Sequence, residues 1–168
     1  SSVRSGAERR LFGVIRQAPH SNQWICLHSL ALARHETKRR GEIDFLLLTP
    51  IGLFVLEVKG GRVRRESGVW TYIDRYGVAH QRAESPFDQA SSAMFALERD
   101  LKKQFPDSPI ANAFLGYGVV LPDVKFDAVG ADIDSGLVYD SRDRQRPFTS
   151  YVQRLARSTR DRQPASRH

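Results

Sequence analysis

The segment from residue 43 to residue 58 constrains this chain more than any other. Residues 43–49 and 53–58 are almost unbroken apolar runs, separated only by Pro50, Ile51 and Gly52. Runs of this length predict strands, and their lack of alternation predicts strands covered on both faces. Pro50 suits the second position of a type I turn, and Gly52 tolerates the left-handed conformation of a bulged hairpin. A hairpin buried on both faces needs further layers, so the chain is expected to be an α/β protein around a mixed central sheet.

The remaining segments supply those layers. Ala7, Leu11, Phe12, Val14 and Ile15 recur at helical spacing over 6–17, with Ser5 placed to cap the helix and Pro19 to end it. Residues 24–32 predict a strand and the polar run 34–41 a loop. Gly60 and Gly61 break the second apolar run. Residues 69–75 and 78–82 then predict another hairpin, turning at Tyr76-Gly77. Ser85-Pro86 opens a long helix over 87–105, apolar along Ala90, Ala93, Met94, Leu97 and Leu101. A strand follows over 114–121, a short one over 137–140 and a helix over 148–160. The expected order is α-β-β-β-β-β-α-β-β-α in one domain, residues 1–160, with 161–168 a disordered tail or linker.

Composition removes several classes of function. The chain has 168 residues, 40% of them hydrophobic, which suits a single filled core. No apolar run approaches the roughly 18 residues of a membrane span, so no membrane partner is expected. One cysteine, Cys26, fits a reducing compartment, and the chain reads as soluble and cytoplasmic. No glycine-rich loop is present to cradle a nucleotide phosphate, which argues against an ATPase. The histidines at 20, 28, 35, 80 and 168 have no zinc-like spacing and no cysteine partners, and are discounted. The net charge of +7 suggests nucleic acid, yet eight Arg and two Asp from Arg142 onward supply +6 of it. More telling are Arg34, Lys38, Arg39 and Arg40 before the hairpin, and Arg62, Arg64 and Arg65 after it. Such a rim suits phosphate binding.

The chemistry is expected on the hairpin. Asp44 and Glu57 sit inside apolar runs, where a carboxylate is costly unless it is paired or metal-bound. Folding about residues 50–52 brings position 44 within one residue of facing position 57. Directly opposed side chains have Cβ atoms about 5 Å apart. Two carboxylates at that spacing can share Mg²⁺ (or Mn²⁺) at metal–oxygen distances near ~2.1 Å, and the Val58 carbonyl can add a third oxygen. Lys59 leaves the same face as Glu57, two residues on, where it can orient an attacking water or offset charge on a phosphate. The plainer alternative makes Asp44 a strand-entry residue and Glu57–Lys59 a local ion pair. Trp70, Tyr72 and Tyr76 can stack on bases, although a tryptophan in a hairpin is more often core.

Residues Gly41-Glu42-Ile43-Asp44-Phe45-Leu46-Leu47 and Gly52-Leu53-Phe54-Val55-Leu56-Glu57-Val58-Lys59-Gly60-Gly61 together resemble the nuclease-related domain, NERD, of the PD-(D/E)XK superfamily. The likeness extends to Trp70, to Pro86-Phe87-Asp88-Gln89-Ala90 at a helix start, and to Tyr117-Gly118-Val119-Val120-Leu121-Pro122-Asp123. It covers roughly residues 6 to 125. Two departures are Ile43 in place of the motif proline and Ser85 in place of an asparagine. The resemblance implies a restriction-endonuclease-like fold. By it, Asp44 and Glu57 bind metal, Lys59 is the catalytic lysine, Glu8 is the leading acid of the first helix, and Gln89 supports the site. Glu8 as a plain helix N-terminal acid and Gln89 as a cap remain the local alternatives.

The expected function is therefore a divalent-metal-dependent deoxyribonuclease. The resemblance implies frequent association with a helicase, in cis or in trans, and the basic tail reads as the edge of a nuclease module within a longer protein. The competing expectation is a non-catalytic nucleic-acid-binding or protein-docking domain on the same fold.

Overall fold

A computed structural model describes residues 6–32, 42–74, 76–127, 130 and 133–162. The expected basic loop carrying Arg34, Lys38, Arg39 and Arg40 lies outside the described residues, as does the tail from 163 onward. The order is α1 (Gly6–Arg16), β1 (Ile25–Ala31), β2 (Glu42–Thr49), β3 (Gly52–Val58), β4 (Arg62–Glu66), β5 (Val69–Ile73), β6 (Ala79–Arg82), α2 (Pro86–Gln104), β7 (Leu115–Leu121), β8 (Val138–Asp140) and α3 (Phe148–Arg162).

The central hairpin forms as β2 and β3, paired without interruption from Thr49–Gly52 to Phe45–Leu56. Its turn is the two residues Pro50 and Ile51, so no bulge disturbs the register. Gly52 does adopt a positive φ, 149°. A Cβ there would sit 2.8 Å from the Phe114 carbonyl oxygen, where β7 begins. The glycine is needed for that close approach rather than for a bulge.

The sheet is mixed, in the order β1-β2-β3-β7-β8. β1, β2 and β3 are antiparallel, whereas β3–β7 and β7–β8 are parallel. A parallel neighbour requires a crossover, and α2 lies within the one that links β3 to β7. Its start is fixed by Ser85 and Asp88. Each side chain accepts the other's backbone N–H, at 2.9 and 3.3 Å.

Helices on both faces explain why β2 and β3 do not alternate. On one face, Met94 and Leu97 of α2 pack against Leu46, Val55 and Leu115. On the other, Leu11 and Ile15 of α1 and Tyr151 and Leu155 of α3 join Phe45, Leu47, Phe54 and Leu56. The architecture is thus the expected α/β domain with a mixed central sheet flanked by helices. Among the described residues, no helix is long and apolar enough to cross a membrane.

Two expectations need correction. Residues 62–66, expected only as a charged rim, form a strand, β4. It pairs with β5, and β5 with β6, in a separate antiparallel sheet. Six strands therefore precede α2 rather than five. The last helix also runs to Arg162, two residues beyond the expected end.

Close approach of α3 to the sheet depends on Gly118. A Cβ there would lie 2.1 Å from Tyr151 Oη and 3.2 Å from Leu155 Cδ2. The Tyr151 hydroxyl donates to the Leu137 carbonyl at 2.9 Å, in full burial. Gly118→Ala is expected to displace Tyr151 and lose that bond, at a cost of roughly 2–4 kcal/mol. Urea denaturation measures it, and an unchanged midpoint would contradict the packing described.

Candidate active site

The site forms where β2 and β3 separate. The N–H groups of Leu53 and Lys59 donate to Phe114 and Val120 carbonyls on the β7 side, at 2.9 and 3.0 Å. The even-numbered residues of β3 therefore turn their N–H groups toward β2. The rung after Phe45–Leu56 would join Ile43 to Val58, but the recorded pairing stops first. Instead the Val58 N–H donates to Asp44 Oδ2 at 2.8 Å. A side-chain carboxylate thus occupies the place of a backbone acceptor. In an extended residue the carbonyl leaves on the same edge as the N–H, so the Val58 carbonyl is also directed to the Asp44 side.

Glu57 is one step further along the same register, opposite Asp44, and projects on the face that α2 covers. Lys59 follows it on that face, with Nζ 2.6 Å from Glu57 Oε1. Glu57 is only 8% exposed. Burial first, and then the charge of Asp44, push its carboxyl up to about 7, against the pull of Lys59. Burial also raises Asp44. The Val58 N–H and Lys59 oppose that shift, while Glu8 and Glu42 add to it. The edge is short of positive charge.

Glu8 reaches the site from α1, close enough for its charge to act on Asp44. Its Oε2 lies 2.6 Å from His28 Nε2, and both side chains are nearly buried. The His28 ring rests against Phe45, with centroids 4.8 Å apart. His28, discounted on sequence spacing, is therefore part of the constellation. Beside it, Ser29 has φ 51° and stands opposite Asp44, between the His28–Phe45 and Leu30–Ile43 pairs. A positive φ inside a strand, in a residue other than glycine, is strained backbone. Here it falls at the carboxylate.

The opposite wall comes from α2 and the small sheet. Gln89 lies in the first turn of α2, donating through Nε2 to Glu84 Oε2 at 3.2 Å. Glu84 in turn is near enough to raise Glu57. Gln89 Oε1 and the Tyr72 hydroxyl are both buried without a hydrogen-bond partner. Tyr72, on β5, lies with its ring centroid 5.8 Å from Lys59 Nζ. Orphaned polar atoms of this kind mark places where water, an ion or a substrate completes the bonding.

The sequence-predicted phosphate rim is divided. Arg62 and Arg64 point outward, whereas Arg65 turns to the other face and lies over Trp70 at 5.8 Å. Arg39 and Arg40 lie outside the described residues. Trp70 is buried and stacks on Phe126 at 5.8 Å, which makes it core. Tyr76 is exposed in the β5–β6 turn. Asp123, just after β7, was quoted in the sequence only as part of a motif. In the structure it accepts from the Gly61 N–H at 2.8 Å and from Arg10 at 2.6 Å. It thereby ties the turn after Lys59 to α1.

A five-stranded mixed sheet with helices on both faces, carrying two opposed carboxylates and a lysine at one strand end, defines a nuclease-like α/β domain. Residues 4–122 match the family described as NERD, nuclease-related domain, and the chain belongs to that family. No curated protein and no solved structure matches it.

Proposed function

We propose that this domain is a divalent-metal-dependent phosphodiesterase acting on DNA. The supporting observation is the opposition of Asp44 and Glu57 in a setting where burial and mutual repulsion outweigh the single ammonium of Lys59 beside them. Asp44 Oδ1 and Glu57 Oε2 accept no hydrogen bond from the described residues, and each is available to a cation. Among the described residues, no three His, Cys, Asp or Glu side chains form a ready-made cage. The donors offered to Mg²⁺ or Mn²⁺ are instead the two carboxylates and the Val58 carbonyl, with waters to complete the shell. When bound, such an ion supplies an activated water and offsets charge on the phosphate.

The chain's own groups do the rest. Lys59 is tethered by Glu57 at the strand end, where its ammonium can orient a water or meet negative charge developing on phosphate oxygen. Glu8, held by His28, adds negative potential behind Asp44. Gln89 leaves an unused acceptor for a water on the α2 wall. The small sheet contributes positive charge through Arg62, Arg64 and Arg82.

Incubation with single-stranded, duplex and forked DNA, in Mg²⁺, Mn²⁺ or EDTA, tests the reading. Cleavage is expected with either metal and none with EDTA. A second reading has one observation in its favour: Glu57 and Asp44 each already hold an internal partner, as a structural ion cluster would. On that reading the domain binds nucleic acid or docks a protein without chemistry. Binding in EDTA with no cleavage in any metal would establish it.

We also infer that the domain works beside a helicase or another DNA-processing module, as the family resemblance implies. The rim arginines provide a surface for strands delivered to the site.

A further inference from the structure

Beyond the positive charge of its arginines, the small sheet β4-β5-β6 brings one aromatic side chain, Tyr72, beside Lys59. Tyr72 pairs across the sheet with Val63 and His80, and shares the inward face with Trp70 and Val63. Its ring stands beside Lys59, while its hydroxyl is buried and reaches no acceptor. The charges of Glu57, Arg82 and Glu84 act on it, and His80 is its partner across the strand pair. A phenol is ordinarily protonated at neutral pH, and burial beside Glu57 strengthens that tendency. The hydroxyl is therefore a donor on a ring that stands beside Lys59, with no acceptor within hydrogen-bond reach.

A buried donor is retained without a partner where a ligand supplies the acceptor. Two occupants are chemically suited, a water or an anionic oxygen. Lys59 and Arg82 bring positive charge to the ring and Glu57 and Glu84 negative charge; a dication held by the carboxylates would tip that balance toward the anion. We propose that the Tyr72 hydroxyl donates a hydrogen bond to a phosphodiester oxygen of the substrate strand, making the small sheet the wall that holds this strand against the carboxylates. This inference rests on the nuclease reading for its substrate class, but not on turnover.

Tyr72→Phe isolates the claim, because it keeps the ring and removes only an unpartnered hydroxyl. Three measurements are made on wild type, Tyr72→Phe and the exposed-turn control Tyr76→Phe. They are the thermal midpoint, the affinity for a fluorescent oligonucleotide in Ca²⁺, and single-turnover cleavage in Mg²⁺. Ca²⁺ occupies oxygen sites while activating water poorly, so affinity is read without cleavage. The expected result is binding weakened about tenfold and cleavage slowed about 10²-fold. The midpoint should be unchanged or higher, and Tyr76→Phe should match wild type. Equal binding and cleavage in wild type and Tyr72→Phe would overturn the contact and leave the nuclease reading intact. A lowered midpoint would also overturn it, by showing that the hydroxyl serves the fold. Wild type that binds without cleaving, with Tyr72→Phe loosened, would retain the contact and sink the nuclease reading. No binding by wild type would overturn both.

Discussion

Glu57→Gln is expected to abolish metal-dependent cleavage, by at least ~10³-fold, while making the metal-free protein more stable above pH 7. The activity loss follows from removing one of the two anionic ligands proposed for the metal, since an amide carries no charge to offset a dication. The stability gain follows from linkage. The Glu57 carboxyl is raised from its ordinary 4.5 to about 7, by burial and then by Asp44. The folded chain thus holds this proton more tightly than the unfolded chain. Its contribution is fully present below about pH 4.5 and is lost as pH rises through about 7. The loss is on the order of 3 kcal/mol, with the opposing pull of Lys59 already contained in the shift. Glutamine cannot ionise, so the variant lacks that decline. Urea denaturation in EDTA at pH 5 and pH 8 gives the comparison. The wild type should lose stability between the two, and Glu57→Gln should stay level. A variant less stable than wild type at pH 8 would show that the ion pair with Lys59 outweighs the burial of charge.

The hairpin was legible because its signals are local. Continuous apolar residues on either side of Pro50 to Gly52 determine two central strands, and antiparallel geometry then sets 44 against 57. The structure adds that pairing ends at Phe45–Leu56, so that Asp44 takes over the Val58 N–H. That detail depends on where β2 leaves β3, which no periodicity reports. Strand β4 was missed because only Val63 among its five residues is buried, leaving no apolar pattern to read. A turn signal was nevertheless present. Ser67 and Gly68 both take positive φ, 47° and 79°, as a tight two-residue hairpin requires. His28 was out of reach for a different reason. Its place on a strand is readable, but its contact with Glu8 depends on α1 crossing the β1–β2 pair. The nearest usable signal was burial without charge partners in the local sequence, which spacing rules for zinc do not capture. The helix α2 was predictable to within a residue, because Ser85, Pro86 and Asp88 form a capping signature in sequence.

Lys59→Ala should also abolish cleavage, by about 10²–10³-fold, but with the opposite effect on stability and a gain in metal response. Among the described residues, the ammonium is the basic group in contact with Glu57, at 2.6 Å. Without it Glu57 faces Asp44 alone, and its carboxyl is pushed above about 7. In EDTA at pH 8 the variant is expected to lose about 1–2 kcal/mol, below the full cost of breaking a buried pair because Lys59 is 27% exposed. A divalent ion then replaces the missing charge. Mn²⁺ should raise the thermal midpoint at pH 8 more in Lys59→Ala than in wild type, and scarcely at all in Glu57→Gln. At pH 6 the gain shrinks in Lys59→Ala, because a proton on Glu57 competes with the metal. The two variants therefore separate two proposed roles that activity alone confounds: Glu57 as holder of the ion and Lys59 as the group that acts on what the ion holds. Cleavage by Lys59→Ala within tenfold of wild type would remove the lysine from the chemistry. A vanished Mn²⁺ response would instead make it part of the metal site's construction, and the division of labour between Glu57 and Lys59 would have to be redrawn.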